Sequence, residues 1–306
     1  MAAAIVPATI ASKNGIDFRS RWRITVLPRR LTVQGGYRSL VAGKCGNNES
    51  ANCAATLPNN GQETNQETDM SSQTETTLAT RGFSHIDTWV FDLDNTLYPH
   101  HLNLWHQVDE RIRDFIVDFL KISRDDAFSL QKDYYRRYGT TMRGLMEEHG
   151  LQPDAYLEMV HQIDHSPLTP NPALGAAIEK LSGRKLILTN GTREHADAVL
   201  RRLGIGHHFE AVFDIRAAEL EPKPRPQVYE RFLARHDVNP NKAALFEDLA
   251  RNLEVPHALG MTTVLVVPEG ARVVLREDWE LAGREAPHVD HVTDDLAGFL
   301  RSLARN

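Results

Sequence analysis

Cysteine is almost missing. The 306 residues hold two, Cys45 and Cys53. Their spacing is not that of a CxxC pair, and no His-x3-His partner accompanies them, which argues against a zinc site and a disulfide framework. No cysteine follows Cys53, which suits a reducing compartment. Long apolar runs are missing too. No window approaches the ~18 uninterrupted apolar residues of a membrane-spanning helix, so no membrane partner is expected. Positive charge is not in excess: the formal net charge is -6. The chain therefore lacks the electrostatic footprint of a protein that binds nucleic acid polymers. Arg136-Arg137 and Arg201-Arg202 are short basic pairs on solvated helix faces. What is present is a hydrophobic fraction of 41%, enough for a sizeable core, in a length that allows one large domain or a domain with an insertion.

Composition changes along the chain. Residues 1–50 hold eight Lys and Arg against two acids, and residues 51–80 hold no Lys or Arg at all. The second stretch, rich in Thr, Asn, Gln, Ser and Glu, has the composition of disorder. Residues 1–82 are accordingly expected to form a disordered or non-native extension. Two origins fit residues 1–69. They are an organellar transit segment, Arg-rich and acid-poor, or they precede a natural start at Met70. Met1 to Ile10 lacks a basic region ahead of its apolar residues, which argues against a secretory signal. Cytoplasmic location is expected, or organellar if residues 1–69 are a genuine transit segment.

From His85 onward the pattern is orderly. Thr88 to Phe91 predicts a strand. Val108, Ile112, Phe115, Ile116, Phe119 and Leu120 recur at spacings of three and four, which marks one face of a helix. Ser123-x-x-Asp126 is a capping-box-like start for a second helix through Tyr138, and Gly139 fits its stop. A short helix runs from Thr141 to His149 and closes at Gly150. Pro153 suits the first turn of another through Ile163. Strand and helix then alternate: a helix from Asn171-Pro172 to Leu181, a strand Lys185–Leu188, a helix Arg193–Leu203, the strand "AVFDI", the helix "RPQVYERFLARH", the strand "KAALFED", the helix "ARNLEVPHAL", the strand "TTVLVV", then "HVDHV" and a helix capped by Thr293. Short apolar strands between helices predict an α/β fold with a parallel sheet covered on both faces. Residues 102–166 form a helical insertion after its first strand.

Ligands of open parallel sheets bind beyond the carboxyl ends of the strands. The first strand is followed there by Asp92, Asp94, Asn95 and Thr96. After "KLIL" come Thr189, Asn190, Gly191 and Thr192, and after "AALF" come Glu247 and Asp248. Lys223 lies between two prolines in "EPKPRP". Carboxylates without histidine or cysteine make a hard oxygen site of the kind magnesium prefers. "TNGT" opens a helix, where backbone N–H groups favour an anion. This content suits phosphoryl transfer. His100 and His101 are read as loop histidines near the site mouth, Tyr134, Tyr135 and Tyr138 as core of the insertion, and Glu147, Glu148 and His149 as a solvated helix end.

"FDLDNTLY", "LILTNGT", "KPRPQVY" and "LFEDLARN", in this order, resemble the four motifs of the haloacid dehalogenase superfamily. The resemblance runs from about Ser84 to the C-terminus. The superfamily's sheet is Rossmann-like, and the insertion stands where it carries a cap. The resemblance thus implies a core of residues 84–101 and 167–306 and a cap of residues 102–166. The cap sequence "YYRRYGTTMRGLMEEHGLQPDAYLEMVHQID" is similar to the branch of pyrimidine 5′-nucleotidases.

The resemblance implies residue roles. Asp92 is a nucleophile that forms an aspartyl-phosphate, and a Mg2+ ligand. Asp94 is the acid and then the base, with its carbonyl on Mg2+. Thr189, Asn190 and Gly191 bind phosphate, Lys223 neutralises charge, and Asp248 ligates Mg2+. The fourth motif often carries a second aspartate where Asn252 stands, so Glu247 and Asn252 are both candidates to complete the metal site. Tyr138 and Arg143 are candidates to face the substrate from the cap. The implied activity is Mg2+-dependent hydrolysis of a small phosphorylated metabolite, with pyrimidine nucleoside monophosphates favoured. The rivals are a phosphatase for sugar phosphates or phosphoglycolate, a mutase, a dehalogenase, and a binding protein that has lost catalysis. Asp94 argues against dehalogenation, since a halide leaves without a proton.

Overall fold

The computed structural model describes residues 81–270 and 278–304. The expectations for residues 1–80 lie outside the described residues. Six parallel strands form one sheet in the order β3-β2-β1-β4-β5-β6, with β1 Thr88–Phe91, β2 Arg184–Leu188, β3 Ala211–Phe213, β4 Ala243–Glu247, β5 Thr262–Val266 and β6 His291–Thr293. The strands are legible as apolar runs because helices cover both faces. Successive side chains alternate between those faces. Trp89 and Phe91 join one core, where Phe91 stacks on Phe246 with ring centroids 4.7 Å apart, and Val90 joins the other with Leu186 and Leu245. The register sets Phe91 opposite both Ile187 and Phe246. The carboxyl ends of β2, β1 and β4 therefore lie side by side, where the strand order reverses around β1.

Four helices follow β1: α1 Leu104–Leu120, α2 Arg124–Tyr138, α3 Thr141–His149 and α4 Pro153–Val160. They close a third core around Ile116, Ala127, Tyr134, Leu145 and Leu157. The α1 stripe is buried at Leu104, Val108, Ile112 and Ile116, whereas Phe119 at its end is exposed. Ser123 Oγ accepts from the Asp126 N–H, as its capping pattern predicts, and Thr140 caps α3 in the same way. The remaining helices are α5 Pro172–Glu179, α6 Arg193–Leu203, α7 Pro226–His236, α8 Glu254–Leu259, α9 Asp278–Leu281 and α10 Leu296–Leu303. Among the described residues no helix is long and apolar enough to cross a membrane.

The structure corrects several boundaries. α4 stops at Val160 rather than Ile163, because His161 Nδ1 lies 3.1 Å from the Leu157 carbonyl and competes for it. α5 stops at Glu179, and "AVFDI" is a strand only over Ala211–Phe213. "ARNLEVPHAL" is a 3-10 turn followed by α8. Pro256 has no N–H for the Asn252 carbonyl, which instead accepts from the Tyr229 hydroxyl at 2.7 Å. Asp295, not Thr293, caps α10; Thr293 pairs with Val266 in the sheet.

Candidate active site

Asp92 is the first residue beyond β1, and its N–H still donates to the Phe246 carbonyl at 2.9 Å. Its carboxylate is buried. Oδ1 accepts from Lys223 Nζ at 2.7 Å, and Oδ2 accepts from the Thr96 hydroxyl at 3.2 Å. Lys223 Nζ also donates to Glu247 Oε1 at 2.8 Å and to the Leu188 carbonyl at 3.0 Å. All three ammonium protons are thus engaged, in a side chain with 1% of its surface exposed. Asn190 holds this lysine's backbone: Oδ1 accepts from the Lys223 N–H at 2.8 Å, and Nδ2 donates to the Lys223 carbonyl. Burial raises the Asp92 carboxyl above the usual range. Lys223 opposes that effect, and the charges of Glu247, Asp248 and Asp94 add to it. Burial by itself would lower the Lys223 ammonium, but Asp92 and Glu247 outweigh it and push its pKa up.

Two residues on, Asp94 has a different environment. Its Oδ1 accepts from His195 Nε2 at 2.8 Å and from the Tyr98 hydroxyl at 2.7 Å. Burial opposes ionisation here too, but the charge and hydrogen bond of His195, with the Tyr98 hydroxyl, bring the pKa down to about 2. His195 Nδ1 lies 3.2 Å from His165 Nε2, and the His161 ring centroid is 5.0 Å away. The expectation of a site without histidine is therefore corrected. Its source is α6: the Thr192 hydroxyl caps that helix by accepting from the His195 N–H, which turns the imidazole toward the strand ends. Gly191 lies in the same turn. A Cβ there would be 3.2 Å from His195 Cδ2 and 3.3 Å from Thr189 Oγ1.

Asp92, Glu247 and Asp248 each offer a carboxylate oxygen within 4.8 Å of the others, and all three are buried. Glu247 Oε1 accepts from Lys223 and from Asn252 Nδ2 at 2.6 Å, and Oε2 accepts from the Leu249 N–H at 2.7 Å. Glu247 is thus fixed by the protein itself. Asp248 Oδ2 lies 3.7 Å from His100 Nε2, and His100 is buried rather than exposed. Asn252 Oδ1 is buried with no hydrogen-bond partner. Convergent carboxylates, with an unpartnered amide oxygen beside them, fit a hard divalent cation that keeps bound water.

The helical layer forms one wall of the cavity above these groups. Asp92, Asp94, Thr189, Asn190, Gly191 and Lys223 line it from the sheet; Trp105, Gln131, Lys132, Tyr135, Met142 and His161 line it from the helices. Tyr138 and Arg143 do not line it. The Tyr138 hydroxyl donates to Glu148 and accepts from Arg137. Arg143 is held by Glu147 at 2.6 Å and by Glu221 at 2.9 Å. Of the three tyrosines, Tyr134 is core. His149 is not merely solvated, because Tyr134 Oη lies 2.8 Å from its Nε2.

A doubly covered parallel sheet with carboxylates at its switch point defines an α/β enzyme of the acid-and-lysine type. The haloacid dehalogenase-like hydrolase family matches residues 86–260, more than half of the chain, and the protein belongs to that family of hydrolases. Phosphate metabolism protein 8 of Saccharomyces cerevisiae is 25% identical over 232 residues, which are 70% of this chain and 69% of the yeast protein. The L-2-haloacid dehalogenase of Xanthobacter autotrophicus with chloropropionic acid covalently bound is 18% identical, with a TM-score of 0.45 over 72% of this chain and 99% of its own. Another L-2-haloacid dehalogenase is 20% identical, with a TM-score of 0.46 over 71% and 99%.

Proposed function

We propose that this hydrolase is a Mg2+-dependent phosphomonoesterase that works through an aspartyl-phosphate on Asp92, with pyrimidine nucleoside monophosphates such as UMP and CMP as its substrates. The observation that carries this reading is the Asp94 carboxylate, clamped by His195 and Tyr98 beside Asp92. A phosphate ester needs an acid for its departing oxygen; a halide needs none. In the first half-reaction an Asp92 oxygen attacks phosphorus, the ester P–O bond breaks, and the departing oxygen takes a proton from Asp94. In the second, Asp94 takes a proton from water as that oxygen attacks phosphorus. The Asp92–phosphate bond breaks and inorganic phosphate leaves. Asp94 is ionised in the free chain, and a phosphate dianion bound against it raises its pKa by like-charge repulsion.

Lys223 holds the attacking carboxylate and neutralises part of the phosphoryl charge. Thr189 and the Asn190 N–H group receive phosphate oxygens, and Gly191, in the same turn, holds Thr189 Oγ1 through its N–H at 2.9 Å. Asp92 and Asp248, with the Asp94 carbonyl, would hold Mg2+, and the unpartnered Asn252 Oδ1 would accept a hydrogen bond beside it, while Glu247 orients Lys223. Bound Mg2+ offsets carboxylate charge and polarises the phosphoryl oxygens. General acid–base chemistry contributes only about 10²–10⁴-fold, so charge stabilisation and positioning carry most of the acceleration. The strand-end core and the helical cap of residues 102–166 enclose a small metabolite rather than a polymer. The cysteine-free sequence after Cys53 suits the cytoplasm.

Phosphate release across a panel of nucleotides, sugar phosphates and an aryl phosphate, with and without Mg2+, tests this reading. UMP and CMP are expected to rank first and to require the cation. Sugar phosphates ranking equal would remove the nucleotide assignment, and no release from any ester would remove the phosphatase assignment.

A further inference from the structure

The helical wall of the cavity contains a polar pair that the chemistry at the strand ends does not use. Gln131 on α2 has 1% of its surface exposed. Its Nε2 donates to the Asp109 carbonyl and to Asp109 Oδ1, both at 3.1 Å. Two acceptors on that side fix which end of the amide is nitrogen. The opposite end, Oε1, is buried with no hydrogen-bond partner. Leaving a buried acceptor unpaired costs roughly 1–3 kcal/mol, so a group kept in that state at a cavity wall invites a ligand donor. Lys132, the next residue, lines the same cavity. Its Nζ donates to Asp109 Oδ2 at 2.7 Å, and an ammonium has three donors. Asp109 thus anchors an acceptor and a cationic donor side by side. The Thr141 hydroxyl donates to the Gln131 carbonyl at 3.1 Å, which pins this turn from α3. Around the pair the wall is apolar: Trp105, Met142, Tyr156 and Leu157 line it.

We infer that Gln131 and Lys132 form a recognition site for the leaving group of the substrate, whose outer end is a flat heterocycle presenting an N–H donor beside an acceptor, as uracil (N3–H beside a carbonyl) and cytosine (N4–H beside N3) both do. Gln131 Oε1 accepts from the N–H, Lys132 Nζ donates to the neighbouring acceptor, and the apolar side chains cover the ring faces. A sugar phosphate places hydroxyls against the same apolar wall and leaves them unpaired. A site built to hydrogen-bond one group rejects the analogue that lacks it far more strongly than a site selecting by size alone. This inference rests on the phosphomonoesterase reading and adds the residues that choose the substrate.

The test compares hydrolysis of UMP, N3-methyl-UMP, ribose 5-phosphate and p-nitrophenyl phosphate by the full chain and by Gln131→Leu. In the unmodified protein, N3-methylation removes the donor and is expected to lower kcat/KM by about tenfold or more. Gln131→Leu is expected to raise KM for UMP by a similar factor relative to its effect on ribose 5-phosphate, and to abolish the penalty of N3-methylation. The methylated substrate needs no variant, so a Gln131→Leu protein that fails to fold leaves that arm intact. Equal turnover of UMP and N3-methyl-UMP, or an equal loss on uridine and ribose esters in Gln131→Leu, overturns the recognition site. In either case, hydrolysis of p-nitrophenyl phosphate shows that the phosphatase reading stands. Hydrolysis of none of the four removes both.

Discussion

One ammonium, that of Lys223, holds apart two carboxylates that would otherwise face each other in the protein interior. Asp94, two residues from Asp92, is instead governed by His195 and Tyr98. Adjacent carboxylates with their pKa values driven in opposite directions match the division of labour between attack and proton transfer. In the proposed reaction His195 acts through Asp94, as a positioning residue. His195→Phe is expected to lower kcat by roughly ten- to a hundredfold for alkyl phosphates. The loss should be smaller for p-nitrophenyl phosphate, whose oxygen leaves without much help from an acid. An equal loss on both would assign His195 a purely structural role. In sequence His195 was hidden because it reaches Asp94 from 101 residues away. The only local signal is its place in the first turn of a helix that opens with "TNGT", where an imidazole can turn toward the strand ends. Asp92, Asp94 and Asp248 were legible because each stands just beyond an apolar strand of a parallel sheet; Lys223, in the loop between β3 and α7, was legible only beside the other motifs.

At the scale of elements, the cavity wall depends on how closely α2 and α3 approach. Gly144 allows this. A Cβ there would lie 2.4 Å from Cγ of the Tyr134 ring, a distance no packed side chain tolerates. Gly144→Ala is expected to destabilise the protein by about 1–3 kcal/mol through overpacking, visible as a lower midpoint in urea. It should also raise KM for the preferred substrate by displacing Gln131 and Lys132; an unchanged midpoint would show that the layer yields freely. The same contact explains what sequence periodicity missed. Spacing correctly placed Tyr134, Tyr135 and Tyr138 on one helix, but the crossing of α2 and α3 decides which of them meets the cavity. Tyr135 does, while Tyr138 and Arg143 are held by Arg137, Glu147, Glu148 and Glu221. The starts of α2 and α5 were legible from Ser123 and Asn171, whereas that of α10 was expected at Thr293 and lies at Asp295. Ends were less so, because competing bonds such as His161 to the Leu157 carbonyl arise only in the folded chain.

Across the whole molecule, the proposed cation site would couple stability to Mg2+. Asp92, Glu247 and Asp248 bring three carboxylates together with one buried lysine. A ligand that binds only the folded state stabilises it by about 2.7 kcal/mol at a hundred times its dissociation constant. Mg2+ is expected to raise the thermal midpoint of the wild-type protein by several degrees, and Asp248→Asn to abolish that rise. In chelator the sign reverses: Asp248→Asn removes a like charge beside Asp92 and Glu247, so it should melt no lower than wild type. A Mg2+-independent midpoint in the wild type would contradict the cation site.

Asp92 as the attacking group is the central claim. The most direct measurement is mass spectrometry of the protein after acid quench of a reaction with UMP or p-nitrophenyl phosphate and Mg2+. A phosphate adduct is expected on the peptide that contains Asp92, and Asp92→Asn is expected to give neither adduct nor turnover while retaining the wild-type fold. Phosphate release by Asp92→Asn at the wild-type rate, or an adduct on another residue, would contradict it.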